Sequence, residues 1–535
     1  MNGSKENDQI RDAIVIGAGF AGMYMLYVLR EAGLCAIAFE TGGDVGGTWY
    51  WNRYPGARCD TESLFYSYQF DDALQQDWHW TERYPAQPEI LQYAQHVAHR
   101  FDLKRDISFN TKITEAQWDA RAQVWTVSTD TGERSSCRFL ISAVGCLSAV
   151  NVPDIDGLDK FKGERYQTGL WPHEGVDFRN KTVAIIGTGS SAIQSIPVIT
   201  EQAEHVTVFQ RTPNYVVPAQ NRPLDPATVA KIKADYPALR AKAKSTYSGN
   251  IFPIGGPSAM DVSAEERVRE YEKHWHTGGL GLMGAFQDLQ LNQASNETAA
   301  DFVRSKIREI VKNPKVARKL CPTNTLGCKR LCVATNYYET YNRDNISLID
   351  LNDTPIERIT ADGIRTTLHD HDADILILAT GFDAMTGALN RINIQGTGRQ
   401  KLTDAWRDGP VSYLGLGVHG FPNMFTITGP GSPSVLTNMI PTIEQHVNWI
   451  GACLTAMRDK NATRIEATKS AQDDWVAYNS GLADQSLRVT CNSWYLGANV
   501  PGKPRVFMPF VGGLPAYIKK CEEVVQEDYK GFVIT

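Results

Sequence analysis

The chain has 535 residues, of which 42% are hydrophobic and 21% are charged, as in an ordinary soluble globular protein. Its formal net charge of −6 predicts no basic surface, which argues against nucleic acid as a partner. On length alone, about three domains are expected.

The N-terminal segment and the cysteines predict a cytoplasmic protein that does not enter a membrane. The opening residues, MNGSKENDQIRD, are polar and carry both signs of charge, unlike a signal peptide. The longest uncharged run near them, residues 13–29, is shorter than the ~20 residues needed to span a bilayer. The ten cysteines include no Cys-x-x-Cys pair and are interpreted as scattered buried thiols in a reducing compartment. No metal site is predicted, because Cys328 and Cys332 have no histidine at ligand spacing.

Residues 12–40 are typical of a βαβ unit that binds a dinucleotide. An apolar strand runs into a GxGxxG turn, an apolar helix follows, and a second apolar strand ends at Glu40. The glycines of the turn are Gly17, Gly19 and Gly22. A carboxylate at the end of the second strand accepts hydrogen bonds from a free ribose 2′-hydroxyl and would repel a 2′-phosphate. Glu40 therefore selects FAD or NAD.

Residues 46–60, GGTWYWNRYPGARCD, are predicted to form a loop against a flat ring system. The stretch contains four aromatic residues and two arginines, with too many polar groups and no period for a core strand. Glycines let the backbone approach a ligand, and aromatic side chains exclude water from it.

Residues 181–212 repeat the strand, glycine turn, helix and strand. The turn is Gly187-Thr188-Gly189-Ser190-Ser191-Ala192, with alanine as an accepted third residue. Gln210 occupies the position of the acid, 23 residues after the first glycine, as Glu40 does in the first unit. Arg211 and Thr212 follow it and offer a cation and a hydroxyl to a 2′-phosphate. This site is predicted to bind NADPH, which leaves FAD for the first.

Residues 222–328 are charged and helix-rich. Ser263 and Glu266 form a capping box, and Asn313 before Pro314 is typical of a helix N-terminus. Strands resume at residues 346–349 and 373–378. The predicted fold is α/β, with two Rossmann-like dinucleotide-binding domains and a helical insertion in the second. The predicted boundaries are 1–146 with 384–535 for FAD, 147–221 with 329–383 for NADP, and 222–328 for the helical subdomain.

The motifs together resemble the Baeyer–Villiger monooxygenase family over nearly the whole chain. Residues 46–60 are similar to its GGxWxxxxYPGxxxD motif, and both nucleotide fingerprints fit. Further similarity lies in Ala379-Thr380-Gly381-Phe382-Asp383, Cys328-Lys329-Arg330, and Asn492 to Asn499 with Pro501-Gly502-Lys503 after it. The resemblance implies an FAD- and NADPH-dependent enzyme that inserts one oxygen atom of O2 beside a ketone carbonyl. The ester or lactone would form through a flavin C4a-peroxide and a Criegee adduct.

The resemblance also implies roles for single residues. Arg330 would lie over the flavin and stabilise the peroxide and adduct anions, because a guanidinium keeps its charge. Asp60 would pair with this guanidinium and hold it in place. Lys329 would reach the NADP 2′-phosphate, and Trp494 would donate its indole N–H toward the nicotinamide or substrate. The loop with Ser434, Val435 and Leu436 resembles the wall of the substrate pocket, without indicating which ketone binds. The cofactor-binding set is Gly17, Gly19, Gly22, Glu40, Gly47, Thr48, Trp49, Asp60, Tyr66, Gly187, Thr188, Gly189, Ser190, Ser191, Arg211, Thr212, Lys329 and Trp494.

One position departs from the family pattern. The signature FxGxxxHxxxWP falls on residues 161–172, where Gln167 replaces the histidine, and His173 is out of register. Glutamine donates and accepts hydrogen bonds but takes no proton near pH 7. In the family this segment links the nucleotide domains, so the departure concerns coupling more than the class of reaction.

Four alternatives remain open from the sequence. A disulfide reductase would need a redox cysteine pair near the flavin, and none is apparent. An N-hydroxylating or sulfoxidising flavin monooxygenase would not need Asp60 with Arg330. A weakly coupled NADPH oxidase is compatible with Gln167, and a non-enzymatic redox sensor would leave the aromatic loop unexplained.

Overall fold

The structure, a computed structural model, describes residues 10–252 and 255–535. Two sheets with parallel strands at their centres are buried on both faces. In the first strand, Ala13 and Val15 pack into one hydrophobic core, while Ile14 and Ile16 pack into another. In the second sheet, the neighbouring residues Val183 and Ala184 likewise pack into two different hydrophobic cores. Burial on both faces explains why these strands are apolar at successive positions rather than alternating.

The first sheet carries the first glycine turn. Its order is β17-β4-β5-β6-β1-β2-β3, with β18 also paired to β6. The pairings of β1 with β2 and β6 are parallel, as is that of β6 with β18, whereas β5 is antiparallel to both β4 and β6. The strands are β1 Arg11–Ile16, β2 Ala36–Phe39, β3 Ile107–Ser108, β4 Ile113–Asp119, β5 Val124–Thr129, β6 Arg134–Ser142, β17 Asn393–Gln395 and β18 Met424–Thr426.

The second sheet carries the second glycine turn and is parallel throughout, in the order β12-β9-β8-β16-β7. Its strands are β7 Glu164–Gln167, β8 Thr182–Ile186, β9 His205–Gln210, β12 Ile346–Asp350 and β16 Ile375–Leu378. There are three smaller sheets. The first pairs β10 Val216–Pro218 with β11 Cys332–Ala334, and the second consists of β13 Ile356–Ile359, β14 Gly363–Thr366 and β15 Asp370–Asp372. The third pairs β19 Ile465–Ala467 with β20 Phe532–Ile534.

The α-helices lie between and around the sheets. They are α1 Phe20–Glu31, α2 Thr48–Trp51, α3 Asp72–Asp77, α4 Gln87–Arg100, α5 Ser190–Thr200, α6 Pro226–Ala234, α7 Tyr236–Lys244, α8 Ala264–Thr277, α9 Gln293–Ile310, α10 Pro314–Leu320, α11 Tyr337–Thr340, α12 Gly387–Asn390, α13 Leu402–Ala405, α14 Met439–Asp459, α15 Lys469–Asp484 and α16 Leu514–Gln526.

The elements within residues 222–252 and 255–328 are the helices α6 to α10 and two 3₁₀ turns, joined by turns and loops. The predicted capping box is present at the start of α8, where Ser263 and Glu266 each bond to the other's backbone N–H. Asn313 caps α10 by accepting hydrogen bonds from the N–H groups of Lys315 and Val316. Both caps satisfy N–H groups that a helix leaves without intrahelical partners.

The prediction of scattered free thiols is wrong for two of the ten cysteines. Cys328 and Cys491 form a disulfide, and the other eight are free. The two are 163 residues apart and belong to no local motif, so their spacing carried no signal; the fold alone brings them together. Among residues 10–252 and 255–535, no helix is both long and apolar enough to cross a bilayer, and no cluster of three metal-ligating side chains occurs.

Candidate active site

The first glycine turn forms a cradle that side chains would fill. A Cβ on Gly22 would lie 1.9 Å from the carbonyl oxygen of Gly17, and one on Gly17 would lie 2.8 Å from that of Ala143. Glu40, at the end of β2, is buried and accepts hydrogen bonds from the N–H groups of Ala18 and Gly42, both at 2.7 Å. Burial raises the pKa of Glu40, and these backbone bonds oppose the rise. This arrangement fits a dinucleotide with a free ribose.

The aromatic loop lies directly against this cradle. Gly47 has a φ of 52°, and a Cβ there would approach the Cα of Gly19 to 2.9 Å. Thr48, the first residue of α2, is exposed, whereas Trp49 is buried and donates its indole N–H to the hydroxyl of Tyr66 at 3.0 Å. Four of the predicted residues thus form one wall beside the turn, with a polar edge at Thr48.

The same loop also contacts α5, the helix that follows the second glycine turn. Gln194 of α5 accepts a hydrogen bond from the Tyr54 hydroxyl at 2.9 Å and donates one to the carbonyl of Arg58 at 3.0 Å. A Cβ on Gly56 would lie 2.3 Å from the carbonyl oxygen of Gln194, so only glycine permits this approach.

The second glycine turn leaves room for a ligand. A Cβ on Gly187 would lie 2.4 Å from the carbonyl oxygen of Ala379, whereas one on Gly189 would meet no described atom within 4 Å. The Thr188 hydroxyl donates to the carbonyl of Thr212 at 2.8 Å. Ser190 and Ser191 begin α5, so its N-terminal N–H groups face this space, as a pyrophosphate site requires.

Two cations lie together beside this turn. Burial lowers the pKa of Lys329, and the like charge of Arg211 lowers it further. Within the part of the chain that the structure describes, neither side chain forms an ion pair with a carboxylate, whereas 26 lysine or arginine ion pairs occur elsewhere. Two adjacent cations without a protein anion fit a ligand phosphate.

Arg330 pairs with Asp60, as the resemblance to the family implies. Its Nε and Nη2 donate to the two carboxylate oxygens of Asp60, both at 2.8 Å, and Nη1 donates to the carbonyl of Val435 at 2.8 Å. Burial disfavours the charged guanidinium, but Asp60 outweighs it and raises the pKa of Arg330 above its ordinary value. A two-pronged ion pair of this kind fixes both the charge and the direction of the guanidinium plane.

The predicted pocket wall is closely packed. Ser434 is buried and lies 2.9 Å from the thiol of Cys146, measured between Oγ and Sγ, so its side chain supports the wall from behind. The carbonyl of Val435 accepts a hydrogen bond from Arg330. The side chain of Val435 packs in an apolar cluster with the partly buried Leu436 and Trp494. Further members of this cluster, which the sequence analysis missed, are Cys146, Leu147, Met385, Tyr495, Phe507 and Met508.

Trp494 begins a 3₁₀ turn and is partly buried. Its ring centroid lies 4.2 Å from that of Tyr495, which is buried beside Arg330. Burial raises the pKa of Tyr495, and the charge of Arg330 opposes the rise. Tyr495 lies within the family-like segment Asn492 to Asn499, but the sequence analysis assigned it no role.

Gln167 is the last residue of β7 and contacts the segment that connects the first sheet to the second. Its side chain donates to the carbonyl of Asn151 at 3.1 Å, and the Thr380 hydroxyl donates to the same carbonyl at 2.6 Å. The Asn151 side chain in turn donates to the carbonyl of Asn499, five residues after Trp494, at 3.3 Å. His173 contacts the ring of Tyr50 in the aromatic loop instead.

Two glycine turns on separate sheets, and an arginine paired with the last residue of the aromatic loop, are the arrangement expected of an oxidoreductase that uses a flavin and a pyridine nucleotide. The sequence matches the family described as flavin-binding monooxygenase-like over residues 10–228. It is 43% identical to a Baeyer–Villiger monooxygenase of Pseudooceanicola batsensis, over 98% of this chain and 96% of that protein. It is also 43% identical to phenazine N-monooxygenase PhzNO1 of Lysobacter antibioticus, over 99% of this chain and 98% of that protein.

Solved structures give the same assignment. A steroid monooxygenase bound to NADP superposes with a TM-score of 0.94 at 49% identity, covering 98% of this chain and 99% of that one. OTEMO in complex with FAD and NADP superposes with a TM-score of 0.95 at 40% identity, with the same coverage. The chain belongs to the Baeyer–Villiger monooxygenase family and is an FAD- and NADPH-dependent enzyme. The disulfide reductase alternative is therefore set aside, although the chain does contain a cystine.

Proposed function

We propose that this enzyme inserts one atom of O2 next to the carbonyl of a small ketone and forms an ester or lactone. The carrying observation is the bidentate ion pair of Arg330 with Asp60, the last residue of the aromatic loop. The same guanidinium bonds to the carbonyl of Val435, which belongs to the apolar cluster. FAD and NADPH supply the electrons and the activation of O2 when they are bound.

Arg330 supplies a permanent positive charge where negative charge develops on oxygen during the transfer. Asp60 occupies Nε and Nη2, and the Val435 carbonyl occupies Nη1, so the guanidinium is held on three sides by the protein. A cation fixed in advance stabilises a transition state without the reorganisation that water would require. Asp60 is in this proposal a positioning residue for Arg330.

The remaining predicted residues divide between the two cofactors. Glu40, the first glycine turn, Asp60 and the wall of Gly47, Thr48, Trp49 and Tyr66 bind FAD. The second turn, with Ser190 and Ser191, binds the pyrophosphate of NADPH, and Arg211, Thr212 and Lys329 bind its 2′-phosphate. Trp494 would donate its indole N–H toward the nicotinamide or the substrate. Val435 and Leu436 face the ketone, and Ser434 fixes their backbone through its contact with Cys146.

We also propose the domain division given by the sequence. Residues 1–146 and 384–535 form the FAD domain, 147–221 and 329–383 the NADP domain, and 222–328 the helical subdomain. In support, β17 and β18 pair with β4 and β6 of the first sheet, and β16 pairs with β7 and β8 of the second. A cytoplasmic location is proposed because eight of the ten cysteines remain free thiols, although the Cys328–Cys491 disulfide is more typical of an oxidising compartment.

The test is a panel of cyclic, linear and aromatic ketones incubated with the purified enzyme, NADPH and ¹⁸O2. We expect at least one ketone to stimulate NADPH consumption and to yield an ester or lactone with one ¹⁸O atom, read by gas chromatography and mass spectrometry. A tertiary amine, a thioether and phenazine form the comparison panel. Oxides of these compounds together with no ester from any ketone would reject the proposal.

Replacing Gln167 with histidine is expected to lower the hydrogen peroxide released per NADPH, with ketone preference unchanged. Gln167 holds the Asn151 carbonyl, and Asn151 reaches Asn499 near Trp494, so the residue acts on how the sheets and this loop meet and not on the pocket. The measurement is the ratio of ester formed to NADPH consumed at saturating ketone. A native ratio already near one would mean that glutamine is harmless here and that Gln167 does not limit coupling.

A further inference from the structure

Two segments that carry predicted functional residues lie against each other. The arginine segment, residues 325–330, contains Lys329 and Arg330, and the tryptophan segment, residues 487–503, contains Trp494. A disulfide between Cys328 and Cys491 joins them covalently. Around it, the Thr490 hydroxyl donates to that of Thr325 at 2.9 Å, and Arg488 donates to the carbonyl of Gly327 at 3.4 Å.

The tryptophan segment is also held at its other end. Lys503 donates from Nζ to Oδ1 of Asp383 at 2.5 Å and to the carbonyl of Ala384 at 2.8 Å. Asn499 donates to the carbonyl of Phe382 at 2.7 Å. Trp494 therefore lies on a span with two fixed ends. The bonds at the Lys503 end are non-covalent, while the end at Cys491 is anchored by a covalent bond.

We infer that the Cys328–Cys491 disulfide is a positioning cross-link for the reaction, which holds the segment with Trp494 and Tyr495 against the segment with Arg330 while substrate and nucleotide are bound. Cys491 is three residues from Trp494, and Cys328 directly precedes Lys329 and Arg330. Breaking the cross-link leaves the two segments joined mainly by hydrogen bonds that water can replace. The inference rests on the proposed function, because it assigns a purpose to the placement of Arg330 and Trp494.

The cross-link is open to attack by an external dithiol. Cys491 lines a surface cavity of about 390 Å³, together with Val489, Thr490, Asn492, Leu496 and Arg505, whereas Cys328 is buried. A thiolate of the dithiol attacks Sγ of Cys491, the cystine S–S bond breaks, and Cys328 leaves as a thiolate. Asn324 donates to Sγ of Cys328 at 3.2 Å and stabilises that leaving group. The second thiol of the reagent then displaces Cys491, so two electrons pass from the dithiol to the cystine and the reagent becomes a cyclic disulfide.

The first measurement is independent of activity. Denatured native enzyme without reductant is expected to contain eight titratable thiols, and a non-reducing peptide map is expected to contain a Cys328–Cys491 cross-linked peptide. After treatment with dithiothreitol, amide hydrogen exchange across residues 487–503 is expected to become faster, while exchange in the first sheet is unchanged. Titration with NADP⁺, followed by flavin absorbance, is expected to give a weaker affinity.

The second measurement is coupling. Reduced native enzyme and the variants Cys328→Ser and Cys491→Ser are expected to release about three-fold or more hydrogen peroxide per NADPH than oxidised native enzyme, at saturating ketone. Re-oxidation with oxidised glutathione is expected to restore coupling in the native enzyme but in neither variant. Cys35→Ser, which removes an exposed free cysteine, is the matched control and is expected to behave as native.

Ten free thiols in the native enzyme would overturn the inference. So would a confirmed cross-link whose reduction changes neither the exchange of residues 487–503 nor the share of hydrogen peroxide. If no ketone gives ester but reduction still loosens the segment and weakens NADP⁺ binding, the proposed reaction fails and the positioning by the cross-link stands.

Discussion

Replacing Arg330 with alanine is expected to abolish product formation and to leave FAD binding intact. The side chain forms a bidentate ion pair with Asp60 and donates a third hydrogen bond to the carbonyl of Val435, so its positive charge is fixed in place. Removing one preorganised donor to a developing oxyanion typically lowers kcat by ~10²–10³-fold, and here a full charge is removed as well. The measurement is ester formation at saturating ketone, with flavin content read from absorbance.

Two further variants sharpen this test. Arg330→Lys keeps a positive charge but cannot pair with both oxygens of Asp60, so we expect it to remain severely impaired. Arg179→Ala removes an arginine from an exposed ion pair with Asp177 and is expected to leave the rate unchanged. Ester formation by Arg330→Ala near the native rate would show that the catalytic cation lies elsewhere.

Replacing Lys329 with alanine is expected to raise the KM for NADPH ten-fold or more with little change for NADH. The loss of one charge-assisted contact costs ~1.5–3 kcal/mol, and only NADPH has the 2′-phosphate that would make this contact. Arg211 stays in place and keeps part of the preference, which is why the enzyme should not become indifferent to the two nucleotides. The measurement is the initial rate of nucleotide oxidation over a range of concentrations of each.

Lys315→Ala is the control for this variant, because Lys315 is an exposed lysine of α10. It is expected to leave both KM values unchanged. Equal use of NADPH and NADH by the native enzyme would contradict the assignment of Lys329, and an equal rise in both KM values would mean that Lys329 supports the fold of the site and not the phosphate.

The two nucleotide cradles could be predicted from the sequence because each is local. In both, the strand, the glycine turn and the helix are consecutive, and the residue at the end of the second strand has a fixed spacing from the first glycine. The ion pair between Asp60 and Arg330 is different, since 270 residues separate its partners. It was predicted only through the resemblance to a family, and no spacing in the chain indicates it.

The cross-link and the apolar cluster could not be predicted. Cys328 and Cys491 meet because two loops from distant parts of the chain fold against each other, and a lone cysteine before a basic pair indicates nothing about its partner. Cys146, which supports Ser434, follows the end of β6 without any motif around it. Such contacts arise from the packing of loops, whose positions follow from the whole fold rather than from local pattern.

The packing of Gly56 against Gln194 limits how this protein can be recombined with its relatives. The carbonyl of Gln194 occupies the place where a side chain at position 56 would begin, and the Gln194 amide bonds to Tyr54 and Arg58 on either side. The two nucleotide-binding sheets are therefore not interchangeable modules. A chimaera that takes its second sheet from another family member has to carry residues 46–60 and α5 from the same parent. If the two came from different parents, the loop around Gly56 would no longer be matched to the helix around Gln194.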